Sequence, residues 1–442
     1  MTKDQVRVSD VSEDELLTAF TPHLPRCQSA VVDVGDDCAV LAVPSQQMCV
    51  STDVLVENHH FVTSFSTAEE IGARAAAQNL ADVAAMGAVP ESLVVGLVMP
   101  PQTTVEWVRG LARGFARACD DCGAGVVGGD LSAGPTLMIS VTVMGQCPDG
   151  VRPVVRTGAQ MGDLIIHAGT LGRSAAGLAL MNAGISEASQ CQGCEEEAAE
   201  ALRIFRAPEP PLAMGPVMAQ AGANAMMDVS DSLVRDLSRM AKASNVVMVL
   251  DESESLEPLG RPDTGGEIEA SPNSDASAES GPLDADCSLR SGLTTDIAAV
   301  LPIAFFLVTH GHVPVASKPK NYSDTSLPVS AHSGLPVAPE PFTNPDEVSR
   351  RSINRTQLEA AYALARSWVL SGGEDHGLVA TLSPENWEKS SLRSRGVRII
   401  GRVESFDITG SLSEKENTRG PGVLIGEHPA HEMGWDHFTS SH

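Results

Sequence analysis

Short apolar runs alternate with segments of helical recurrence along the first 250 residues. Leu93-Val-Val-Gly-Leu-Val-Met99 and Thr136-Leu-Met-Ile-Ser-Val-Thr-Val-Met144 are bounded by turn residues and read as buried strands. Between them, apolar residues at 105, 108, 111, 112, 115, 116, 118 and 119 return at helical spacing, which predicts a helix over 104–119. Glu69 to Met86 predicts another, with Gly87 where a C-terminal glycine cap belongs. A second series follows: a strand at Asp163-Leu-Ile-Ile-His-Ala-Gly169, helices at 178–183 and 214–221, a strand end at Ala225-Met-Met-Asp-Val-Ser230, and a helix over 233–243. The pattern returns late in the chain, with a helix over 358–369 and a strand over 397–403. Mixed strands and helices make the fold class α/β (α+β).

Composition divides this series. The 442 residues are enough for two or three domains. A boundary is expected at Pro148-Asp-Gly150, giving domains 1–150 and 151–442. Residues 251–350 differ sharply, with 12 of the 28 prolines and 16 acidic residues against 5 basic. A solvated, partly disordered insertion is expected over 252–350, in which 295–309 alone is apolar enough for a strand or helix.

Charge and cysteine usage limit the partners. A net charge of -27 disfavours nucleic acid and anionic membrane, and any phosphorylated ligand would need bridging cations. Nine cysteines are too few for a secreted disulfide framework. The pairs Cys119/Cys122 and Cys191/Cys194 lie too far apart for the usual four-thiolate zinc spacing. The start of the chain lacks an apolar signal core, and the run Ile297–Val308 is short of a spanning helix, so a cytoplasmic location is expected.

Candidate chemistry lies in five Asp-bearing junctions: Gly35-Asp-Asp37, Ser51-Thr-Asp53, Asn79-Leu-Ala-Asp82, Gly128-Gly-Asp130 and Asp228-Val-Ser-Asp231. Singly, each is ordinary turn chemistry. Brought together, their carboxylates would repel unless cations neutralised them, a role suited to Mg²⁺ and its oxygen ligands. Asn79 and Asp82, three apart, share a helix face. Gly128-Gly129 permits close backbone approach, as a phosphate cradle requires. Neither a P-loop nor the protein-kinase motif set is present.

Together with Gly35-Asp-Asp-Cys-Ala-Val40, Ser51 to Phe61, Asn79 to Pro90, Gly169-Thr-Leu-Gly-Arg-Ser-Ala-Ala-Gly177, Ser371-Gly-Gly-Glu-Asp-His376 and Gly434-Trp-Asp-His-Phe438, these junctions run in one order over about 30–250 and 355–438. In that order they resemble the thiamine-monophosphate kinase family, within the superfamily of aminoimidazole ribonucleotide synthetase. The resemblance implies a two-domain fold with an N-terminal sheet pairing in a homodimer and a C-terminal α/β domain with helices on one side of a sheet. It implies a cleft site and ATP-dependent phosphorylation of thiamine phosphate to thiamine diphosphate by direct in-line transfer with several Mg²⁺ ions. It places metal ligands at Asp37, Ser51, Thr52, Asp53, Asp82, Asp130, Asp228 and Asp231, with Asp82, Asp130 and Asp231 central to catalysis. Gly129, Asp130, Arg156 and Ser230 match nucleotide contacts, and His60, Glu374 and Trp435 match positions that hold thiamine phosphate. Ser232, Ala81, Leu131, His376 and Gly377 depart from the family pattern, and no aromatic stands near Cys122. Two alternatives stand beside this reading: another ATP-using member of the superfamily, and a non-catalytic nucleotide- or Mg²⁺-binding interaction protein.

Overall fold

A computed structural model describes residues 6–32, 40–43, 47–251, 292–313, 355–405 and 420–430. Most of the acidic insertion, Asp37 and the Gly434–Phe438 motif with Trp435 therefore lie outside the described residues.

The first half opens with helix α1 (Glu13–Phe20) and an antiparallel pair, β1 (Ala30–Val32) with β2 (Val40–Leu41). A four-stranded sheet follows, built from β3 (Cys49–Val56), β4 (Val89–Met99), β5 (Gly125–Ala133) and β6 (Met138–Gln146), in the order β3-β6-β4-β5. Helices α2 (Ala68–Ala84) and α3 (Val105–Cys119) pack on one face, burying Ile71, Leu80, Leu111 and Phe115 against Leu55, Leu93 and Ile139. Thr67 and Glu70 cap α2 reciprocally, Glu70 N donating to the Thr67 hydroxyl and Thr67 N to the Glu70 carboxylate. Gly87 ends the turn after α2 at φ +75°, the left-handed geometry expected of it. Strand alternation turns Val50 and Val54 away from the helices, leaving them 62% and 44% exposed.

The second half holds a seven-stranded sheet ordered β13-β12-β9-β11-β7-β10-β8. Its strands are β7 (Leu164–Ala168), β8 (Ala225–Val229), β9 (Val247–Leu250), β10 (Gly377–Leu382), β11 (Arg398–Glu404), β12 (Gly422–Ile425) and β13 (His428–Pro429). The main core lies between this sheet and helices α4 (Arg173–Asn182), α5 (Glu195–Arg206), α7 (Leu233–Ser244), α8 (Gly292–Thr309) and α9 (Arg355–Ser371). The other face is covered too. Met218 of α6 (Met214–Gln220) and Trp387 of α10 (Pro384–Lys389) pack there with Ala84 and Ala85 against Ile166, Leu378 and Leu382. Helices on one side only is thus corrected: β7 and β10 alternate apolar residues to both faces, and both need cover.

The apolar stretch inside the insertion is helix α8. It is long and apolar enough to cross a membrane by length and composition, yet 61% of it is buried inside the fold. Asp296 on this helix is fully buried between Arg173 and Arg398, at 2.6 and 2.9 Å, so its charge is neutralised twice.

Candidate active site

Three of the five aspartate junctions, those of Asp53, Asp82 and Asp228, act on one another's charge from the two halves of the molecule. On β3, Ser51 and Asp53 share the α2-facing side with Leu55. The Ser51 hydroxyl donates to Asp82 at 2.6 Å, and Gln78 Nε2 donates to Asp53 at 3.2 Å. Gln78 and Asp82 stand four apart on α2, so one helix face meets one strand edge. Asn79 turns the other way, into the core, where it donates to the Ala75 carbonyl at 2.9 Å.

From the second half comes Asp228, buried near the end of β8. Burial raises the Asp53 and Asp82 carboxyls above their usual range, and the like charge of Asp228 adds to it. Asp82 is pushed up to about 7 by burial, Asp228 and Asp53 together, against the Ser51 hydrogen bond and His376. Crowded hard oxygens that resist ionisation together form a donor set suited to a hard divalent cation. In this arrangement no three His, Cys, Asp or Glu groups among the described residues stand in ligating geometry.

His376 lies within this cluster. Its Nδ1 is 3.4 Å from Asp228 and its Nε2 3.8 Å from Glu374. Burial alone would lower its pKa, but the two carboxylates outweigh that and push it up to about 10. Glu374 pairs with the buried Arg74 of α2 at 2.6 Å. Against the cost of lost water, His376 and Arg74 hold the Glu374 carboxyl well below its usual range, and His60 adds to the same effect. The His60 ring accepts from Val56 N through Nδ1 at 3.0 Å, fixing it at the end of β3.

The β8–α7 turn carries Ser230 and Asp231. The Asp236 carboxylate accepts from the backbone N–H groups of Ser230, Asp231 and Ser232 at 3.1–3.2 Å. Asp231 is held by Arg239 at 2.6 Å. The Ser232 hydroxyl accepts from Arg235 N, so the serine at a glycine position caps α7.

Three expected residues stand apart. The Thr52 side chain faces away from Asp53 and donates to the Val141 carbonyl at 3.0 Å. Asp130, beside Gly129, lies in register with Gly96, Ser140 and Val54 across the sheet. That puts it three strand spacings, about 14 Å, from β3, on the face opposite Asp53. Arg156 lies in a short turn whose Gly158 meets Asn224, just before β8 and at the far end of that strand from Asp228, and its carbonyl accepts from the Ser244 hydroxyl. Conversely, the sequence reading did not assign roles to Arg74, Asp236, Arg239 or His376. The one available signal was His376 as a departure from the family pattern.

The chain matches the AIR synthase related protein N-terminal domain over residues 35–147 and the corresponding C-terminal domain over 160–275. The thiamine-monophosphate kinase of Corynebacterium glutamicum is 37% identical over 253 residues, covering 57% of this chain and 73% of that one. The Mycobacterium tuberculosis enzyme of the same name is 42% identical over 212 residues, 48% of this chain and 60% of its own. The chain thus spans about three fifths of the length of that relative. The fold is similar to the thiamine-monophosphate kinase of Stenotrophomonas maltophilia, with TM-score 0.57, 24% identity and coverage of 94% and 96%. It is also similar to AaThiL complexed with AMPPCP and TMP, with TM-score 0.56, 23% identity and 92% coverage of each chain. The motif order, the two-sheet fold and these matches agree: the chain belongs to the thiamine-monophosphate kinase family of AIR synthase related proteins.

Proposed function

We propose that this protein transfers a phosphoryl group from ATP to thiamine phosphate, giving thiamine diphosphate and ADP. The observation that carries this reading is that Asp53 and Asp82 of the first half and Asp228 of the second raise one another's pKa across a part-buried cluster, with His376 3.4 Å from Asp228 and 3.8 Å from Glu374. The curated relatives carry this activity in their names, and one structural neighbour is described with AMPPCP and TMP.

Phosphoryl transfer asks for alignment and charge neutralisation more than for a base, since the acceptor phosphate is itself anionic. Asp53, Asp82 and Asp228 would hold Mg²⁺, with Ser51 fixing the Asp82 carboxylate and Asp231 exchanging Arg239 for the ion. The chemistry a bound Mg²⁺ would supply there is neutralisation of phosphate charge during the transfer. His376 and Arg74 keep Glu374 ionised, as a partner for a cationic thiazolium needs. Asp37 and Trp435, outside the described residues, keep their expected roles in this reading.

Asp130 and its neighbour Gly129 are assigned to the nucleotide through a second copy of the chain, and Arg156 keeps its expected nucleotide role. Asp130 lies on the sheet face that exposes Val50 and Val54, so face-to-face pairing of two sheets would bring it to a partner's site. Homodimerisation, a division of the two domains near residue 150 and a cytoplasmic location belong to the same reading.

The experiment is turnover with ATP, Mg²⁺ and thiamine phosphate. Asp82→Asn is expected to lower kcat by at least about 100-fold while leaving the fold intact; a wild-type rate in that variant at saturating Mg²⁺ overturns the metal role.

A further inference from the structure

We propose that Asp375 is a positioning residue that holds Glu374 and His376 in the site by tying their loop to the start of α4. Helix α4 lacks a local side-chain cap. It opens at Gly172, φ +81°, whose lack of a side chain leaves the first helical N–H groups without a local acceptor. Asp375, 3% exposed and about 200 residues away in sequence, fills that place. Its carboxylate accepts from Gly172 N at 3.0 Å, Arg173 N at 3.1 Å and Ser174 N at 3.4 Å, and from the Thr170 hydroxyl at 3.1 Å.

The residues on either side need such a tie. Glu374 and His376 both adopt left-handed backbone, φ +69° and +53°, which a non-glycine residue holds only when its surroundings impose it. Glu374 N donates to the Ser230 carbonyl and His376 N to the Val229 carbonyl, at 2.8 and 3.2 Å. The loop is thus pinned to the end of β8 by the main chain of two residues and to α4 by the side chain of the one between. Released from α4, Glu374 would lose its aim toward Arg74 and His376 its place beside Asp228. Geometry of this kind is held by supporting hydrogen bonds rather than by the site groups themselves.

For Glu374 as a substrate contact, this inference rests on the proposed function; for the loop geometry it does not. The test uses the full chain with ¹⁵N-labelled histidine, the His376 ring signal being assigned by its loss in His376→Gln. In Asp375→Asn and the milder Thr170→Val, the ligand-free His376 ring signal is expected to move. The Kd for thiamine phosphate is expected to rise at least about 10-fold in Asp375→Asn and about 3-fold in Thr170→Val. An unmoved His376 signal in every folded variant, even with a lowered Tm, overturns the proposal and leaves Asp375 a helix cap alone. Should Asp375→Asn fail to fold, Thr170→Val decides by the same signal. Should the wild-type protein fail to bind thiamine phosphate, the proposed function fails and the signal alone decides this inference.

Discussion

His376 Nδ1 stands 3.4 Å from the Asp228 carboxylate, placing an imidazole among the aspartates expected to gather a divalent cation. With Glu374 on its other side and a pKa pushed up to about 10, the ring is cationic at neutral pH. A histidine whose pKa is raised by folding contributes stability that is fully present below its unfolded value near 6.5. That stability is lost as pH rises through the folded value. His376→Gln should therefore lower Tm most at pH 6–7, with the difference from wild type narrowing by pH 10. Thermal melts of both proteins across that range check it; a difference independent of pH contradicts it.

Asp82 follows the same sign over a lower pH range. Its carboxyl, raised from 3.8 to about 7, favours the protonated form in the fold, so its contribution to stability falls as pH rises from about 4 to 7. On the proposed function, Mg²⁺ would have to displace that proton below pH 7. The rise in Tm on adding Mg²⁺ should be larger at pH 8 than at pH 6. Asp82→Asn should melt about 2–4 °C above wild type at pH 8 without metal, and should lose most of the Mg²⁺ effect. Equal Mg²⁺ stabilisation at both pH values would count against the site.

Glu374 is already paired with Arg74, so its removal has two consequences. Glu374→Gln keeps a hydrogen-bond acceptor for the buried guanidinium and should fold. It should raise KM for thiamine phosphate about 10-fold with a smaller change in kcat, because the contact is made in the ground state as well as in the transition state. Glu374→Ala strands the Arg74 charge and should cost about 3 kcal/mol of stability as well, read from urea melts.

The exposed side of the four-stranded sheet gives a separate prediction. Val50 and Val54 lie there with Thr52 and Thr142, whose hydroxyls meet at 3.0 Å. Val54→Arg should convert a dimer into a monomer in light scattering and reduce turnover with it. A wild-type chain that is monomeric at micromolar concentration removes the assignment of Asp130 to a partner's site.

Much of this architecture was legible from local pattern. The helix carrying Asp82, its terminal Gly87, the strands around 93–99 and 136–144 and the helix from Leu233 all follow from periodicity and caps. Strand β10 did not. Its six residues pair with β7 and β8, both more than 140 residues earlier, and nothing local marks a strand whose partners are so distant. The site divides in the same way. Ser51, Asp53, Asp82 and Asp228 announce themselves through their junctions. Arg74 is one arginine on an alanine-rich helix until folding sets it against Glu374, 300 residues on. Asp236 and Arg239 read as an ordinary helical ion pair, although Asp236 organises the Ser230–Ser232 turn.

The central claim is that these carboxylates serve phosphoryl transfer onto a phosphate acceptor. Incubation of the purified chain with ATP, Mg²⁺ and thiamine phosphate, followed by chromatography of the thiamine species, tests it most directly. The account predicts thiamine diphosphate and ADP in equal amounts, with none formed when Mg²⁺ is chelated. No thiamine diphosphate from the folded protein, or turnover of formylglycinamidine ribonucleotide in its place, would contradict it.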